Sequence, residues 1–187
     1  MGKVILSEKE IQKICEKLGK EITETLEDDE RIPVFVGVLK GSVNFMMDLI
    51  KHVKRPIYTD YIQISSYHGV NSTGNVQLLK DISYDCEGRT VIIIEDIVDT
   101  GCSMAFLINH IKTHNPKRIL ICALFNKEFE RIKDIQVDFK GYELRDNAFL
   151  IGYGLDYYEL DRNVPFVYAA DEEDIKKLDE WISIHGM

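Results

Sequence analysis

Cysteine is scarce and scattered. The 187 residues hold four, Cys15, Cys86, Cys102 and Cys122, with no CxxC pair and no zinc-ligand spacing. That gives no metal-finger motif and no disulfide framework of the kind found in smaller secreted domains. Long apolar runs are also missing. None approaches the roughly 20 residues that span a bilayer, and MGKVILSEKE contains no signal-peptide core. Basic charge is in deficit, with 23 Lys and Arg against 32 Asp and Glu, a formal charge of −9. A general nucleic-acid binder, or a protein held on an anionic membrane, needs the opposite balance. Repeats, low-complexity tracts and Pro/Gly/Ser linkers are absent, so the four prolines and 12 glycines act as punctuation. These absences predict one cytoplasmic domain with no membrane and no nucleic-acid partner, long enough to bury a real core.

What remains is an alternation of strand-like and helix-like segments, the pattern of βαβ units around a mostly parallel sheet. Ser7 and Glu10 make a capping box, and Ile11, Ile14, Cys15, Leu18, Ile22 and Leu26 form an apolar stripe, predicting a helix over Ser7–Leu26. Val34–Leu39 reads as a strand buried on both faces. Lys40-Gly41-Ser42 breaks it, and a helix is expected over Val43–Val53. Ile57–Tyr67 alternates like a strand. The small, polar stretch Tyr67–Asn75 reads as a mobile loop, with Val76–Leu79 returning from it. Further strands are expected at Thr90–Ile94, Arg118–Leu124, Val137–Tyr142 and Phe149–Tyr153, and helices at Ser103–His114 and Asp171–Ile184. The acidic run Asp171–Asp174 reads as a solvated helix start.

The informative stretch is Val91 to Ser103, VIIIEDIVDTGCS. A buried strand runs into Glu95 and Asp96, then Asp99, then a small polar turn that opens a helix. Ligands of open α/β sheets bind outside the carboxyl ends of the strands. Gly101 permits close backbone approach, Thr100 and Ser103 offer hydroxyls, and the helix start presents free amides to a phosphate. On a chain of charge −9, such a site has to be built from local amides, a few cations and metal. Carboxylates beside it need a purpose, and sugar hydroxyls and Mg²⁺ supply one. Asp99, at the lip of the turn, is placed to take a proton from a bound heterocycle. No GxxxxGK[ST] P-loop is present, and Asp96 and Asp99 stand three apart, not two as in DxDxT phosphotransfer sites.

This segment resembles the phosphoribosyl-pyrophosphate (PRPP) signature of the type I phosphoribosyltransferases. Four further stretches carry the likeness, in the family's order: Val36–Ser42, Ser65–Tyr67 with Ser72–Gly74, Lys127, and Phe149–Tyr157 with Arg162. Together they are similar to the short, bacterial-like hypoxanthine-guanine branch. The resemblance implies the type I α/β fold, one domain with a central parallel sheet flanked by helices and a small hood from about residues 1–10 and 124–187. It implies Mg²⁺-dependent transfer of phosphoribosyl from PRPP to a 6-oxopurine, giving a nucleoside monophosphate and pyrophosphate. It also implies a homodimer or homotetramer, with Lys40 near a subunit contact.

Residue roles follow from the same likeness. Glu95 and Asp96 would hold the ribose hydroxyls and the Mg²⁺ shell, Asp99 would be the general base, and Thr100, Gly101, Cys102 and Ser103 would cradle the 5′-phosphate. Lys40, Gly41 and Arg162 would bind pyrophosphate, where the family often has a cis peptide before the lysine. Lys127, Phe149, Leu150 and Asp156 would line the purine side, with Asp156 also a ligand of a second Mg²⁺. Ser66 and Tyr67 would head the closing loop. On local grounds alone, Lys127 reads as a surface lysine, and Phe149 reads equally well as a core residue.

Overall fold

The computed structural model describes residues 2–66 and 76–186. Its larger sheet has six strands in the order β4-β3-β2-β5-β6-β7. They are β2 (Val34–Leu39), β3 (Tyr58–Ser66), β4 (Val76–Lys80), β5 (Thr90–Val98), β6 (Arg118–Asn126) and β7 (Phe139–Glu143). All neighbours pair in parallel except β3 and β4. Strand periodicity divides each central strand between two cores. Phe35, Ile92 and Ile94 pack with α1 (Glu8–Thr25) and α2 (Val43–Leu49). Val34, Val36, Val91 and Ile93 pack on the other side with α3 (Cys102–Lys112), through Met104, Leu107 and Ile111. The parallel α/β architecture expected from the sequence is therefore present.

A second sheet of three short strands, β1 (Lys3–Leu6), β8 (Leu150–Ile151) and β9 (Val167–Ala169), runs in the order β1-β9-β8. Helix α4 (Glu172–His185) follows it. The capping boxes at Ser7 and at Asp171 are both formed.

Several boundaries differ from expectation. The helix expected to reach Val53 ends at Leu49 and tightens into a 3₁₀ turn, Ile50–His52. Strand β5 continues past Ile94 to Val98, because its ladder with β6 pairs Glu95 with Ala123 and Val98 with Asn126. Glu95 and Asp96 thus stand on the strand itself, and Asp99 lies just past its end. The expected strand over residues 149–153 shrinks to two residues, since Gly152 and Tyr153 adopt positive φ and turn the chain away. Lys3–Leu6 and Val167–Ala169, not anticipated as strands, pair with each other. Asp174 is not solvated: it is buried and accepts a hydrogen bond from the Gly2 amide at 2.6 Å.

Candidate active site

The carboxyl end of β5 gathers the acids. Glu95 and Asp96 are half-buried, and the Asp96 Oδ1 accepts the Ile97 amide at 2.8 Å. Burial pushes the Glu95 carboxyl well above its ordinary range, and the adjacent Asp96 charge adds to the shift. Burial raises Asp96 as well. Two crowded acids of this kind favour a shared proton, a hydroxyl donor or a hard cation.

Beyond them the chain turns. Gly101 takes φ +81, a left-handed conformation suited to glycine, and its Cα faces Arg131, Lys133 and Ile135 closely. It caps α3 with no side-chain hydrogen bond of its own, and the first helical amide, Cys102, makes only a long 3.4 Å bond to the Thr100 Oγ1. The Thr100 carbonyl accepts the Ile132 and Lys133 amides at 3.0 and 3.1 Å, fixing the turn from behind. Glu95, Asp99, Thr100, Gly101 and Ser103 line one small pocket here, with Cys102 half-buried at the head of α3.

Lys127 follows β6, and its amide bonds the Val98 carbonyl at 3.0 Å. It is a buried residue, not a surface lysine. Its Nζ lies 3.7 Å from the Asp99 Oδ2, while the Asp99 Oδ1 is shielded from solvent and unpartnered. Phe149 is half exposed, which excludes the reading as a core residue, and meets Tyr157 edge-on at 6.0 Å. Leu150 is buried in β8.

The loop after β2 approaches β5 closely. The Leu39–Lys40 peptide is cis. A Cβ on Gly41 would stand 1.6 Å from the Asp96 Oδ2, and one on Gly154 would stand 2.1 Å from the Gly41 carbonyl oxygen. Only bare backbone lets these three segments meet. Arg162 bonds the Gly154 carbonyl at 2.5 Å and pairs with Asp156 at 2.8 Å and Glu159 at 3.2 Å. Asp156 also accepts the Glu159 amide at 2.7 Å. Thus Lys40 and Gly41 come together with Gly154, Glu159 and Arg162. Glu95, Asp96 and Asp156 do not converge as one three-ligand cluster. Ser66 ends β3, and Tyr67 lies outside the described residues.

Comparison with known proteins agrees with this geometry. The family described as phosphoribosyl transferase domain matches residues 2–158. The chain belongs to that family. A hypoxanthine-guanine phosphoribosyltransferase of Bacillus subtilis is 43% identical over 166 residues, covering 88% of this chain and 91% of the relative. The crystal structure of a Staphylococcus aureus hypoxanthine phosphoribosyltransferase superposes with a TM-score of 0.85 at 38% identity, covering 91% of this chain and 92% of that one. A Bacillus anthracis hypoxanthine-guanine phosphoribosyltransferase, solved with HEPES in its active site, gives 0.85 at 35% identity, covering 91% and 99%.

Two residues of this family member's site were not anticipated from sequence. Glu159, at φ +70, bridges Lys40 and Arg162 with one carboxylate oxygen. Arg131 donates to Asn126 at 2.5 Å, while its Nε and Nη1 are buried and unpartnered beside the Gly101 turn. A basic residue four positions after Lys127 was a visible signal for the second. Glu159 carried none, because its second partner, Lys40, is 119 residues away.

Proposed function

We infer that this protein is a purine-salvage transferase that moves the 5-phosphoribosyl group from PRPP to hypoxanthine or guanine. The products are IMP or GMP and pyrophosphate. The observation that carries the reading is the β5 terminus, where two crowded acids, the Asp99–Lys127 pair and the start of α3 surround one turn. Thr100 to Ser103 would take the 5′-phosphate, and Glu95 and Asp96 the ribose hydroxyls. Lys127 would bond the purine 6-oxo group, Phe149 would stack on the ring, and Leu150 would meet its edge through the backbone.

The hard, oxygen-only donors Glu95 and Asp96 fit one Mg²⁺ and Asp156 a second, and the raised carboxyl groups of the first two fit a site completed by a cation. When bound, Mg²⁺ would offset charge on pyrophosphate.

The chemistry at the sugar breaks the bond from the anomeric carbon to a pyrophosphate oxygen and forms one to a ring nitrogen of the purine. Lys40 and Arg162 meet negative charge as it develops on the departing group, which lowers the barrier more than it tightens substrate binding. Asp99 accepts the proton that leaves the attacking imidazole-side nitrogen, with Lys127 beside it to hold its orientation. We place the reaction in the cytoplasm, in a homodimer or homotetramer. A spectrophotometric assay with PRPP, Mg²⁺ and each base in turn should give nucleotide from hypoxanthine or guanine. Product from uracil or adenine alone would refute the assignment.

A further inference from the structure

At the far end of α3 from the phosphate turn, Asp81, His110 and His114 converge. Among the described residues they are the one set of three ligand-type side chains whose ligand atoms all lie within 4.8 Å of one another. His110 stands in the last turn of α3 and His114 two residues beyond its end at Lys112, where the His114 amide still donates to the Ile111 carbonyl at 3.0 Å. Asp81 comes directly after β4 and faces both rings. Its Oδ1 is 2.8 Å from His110 Nε2, and its Oδ2 is 4.0 Å from His114 Nε2. The two rings meet edge-on at 5.4 Å.

We propose that Asp81, His110 and His114 form a binding site for a borderline divalent cation of the zinc class, separate from the phosphate turn. A tetrahedral zinc with two nitrogen ligands and one oxygen ligand keeps them about 3.4 Å apart. That spacing lies between the two Asp81–imidazole separations, so small side-chain rotations complete the triad. Two imidazoles with one carboxylate select against Mg²⁺, which takes oxygen ligands and keeps its water. The ligands are also supported from behind. The Ile82 amide donates to the Asp81 Oδ1 at 2.7 Å, and Phe106 lies parallel to the His110 ring. The carboxyl end of a helix favours positive charge. All three side chains are partly exposed, which leaves the fourth coordination position to solvent. The 11 residues of α3 span about 16 Å, so no ligand is shared with the catalytic turn. A cation held here ties the end of β4 to the end of α3.

Titration calorimetry with Zn²⁺, run on the whole protein in excess Mg²⁺, should show one Zn²⁺ per chain. His110→Gln and His114→Gln should each weaken it by more than about tenfold, and X-ray absorption should show nitrogen and oxygen ligands only. Both positions are partly exposed, and melting in metal-free buffer verifies that the variants fold. Zn²⁺-dependent shifts of the two imidazole NMR signals test the same claim without substitution. Unchanged binding in the double variant, a sulfur ligand in the absorption spectrum, or no Zn²⁺ bound to the unaltered chain would each overturn the proposal.

Discussion

Glu159 holds Lys40 at 2.9 Å although 119 residues separate them. The same carboxylate oxygen lies 3.2 Å from the Arg162 Nε. The two cations proposed to bind pyrophosphate thus share this acid, with Asp156 also pairing Arg162, and pyrophosphate would compete with Glu159 for both. The pairs are half-exposed, so each contributes at most about 1 kcal/mol. Glu159→Gln should lower the inhibition constant of pyrophosphate by about fivefold. An unchanged constant would mean that pyrophosphate binds elsewhere.

Asp99→Asn would remove the proposed proton acceptor without changing shape. Turnover should fall by roughly 10²–10⁴, the usual worth of a general base, with little change in melting temperature. Single-turnover kinetics would check it. A variant of near-full activity would remove Asp99 from that role.

Gly41→Ala tests the close approach of three segments. The new methyl would stand 1.6 Å from the Asp96 Oδ2, so either the loop or the acid must move. A displacement of about 1 Å at a catalytic constellation costs around a hundredfold in rate. We expect that loss in kcat/KM with the fold intact by circular dichroism. Near-normal activity would show that Asp96 is not needed where it lies.

Acid stability should depend on Asp29. Burial opposes its ionisation, but hydrogen bonds from Lys117, Thr90 and Arg118 outweigh that and hold its carboxyl down at about 2. A carboxyl lowered from its ordinary 3.8 stabilises the fold above that value. The contribution is lost as pH falls from there toward 2, and is on the order of 2 kcal/mol. Asp29→Asn should lower urea stability at pH 7 and remove part of its decline between pH 5 and pH 2. Parallel pH profiles for the two proteins would refute the assignment.

The legible parts of this chain are those whose signals are local. The β-branched run of β5, the stripe and cap of α1, and the break at Lys40-Gly41 each lie within a few consecutive residues. Strands β1 and β9, of four and three residues, were not legible because they exist only where distant segments pair them, while β8 was expected as a longer strand. The extension of β5 through Glu95 and Asp96 was hidden for a related reason: side-chain polarity suggests a turn, while the ladder to β6 continues regardless. The burial of Lys127 depends on strands that its own neighbours do not reveal. Asp174 looked solvated because nothing near it in sequence announces the Gly2 amide.

The pairing of β1 with β9 also sets an order of assembly. Lys3 faces Ala169 across that ladder, so the smaller sheet joins strands that lie on either side of nearly the whole larger one. During synthesis Lys3–Leu6 emerges early and waits, with its edge unpaired, until Val167–Ala169 follows. The lobe carrying Phe149 should then be the last to close, and newly made chains should gain their β5 turn before the smaller sheet is complete.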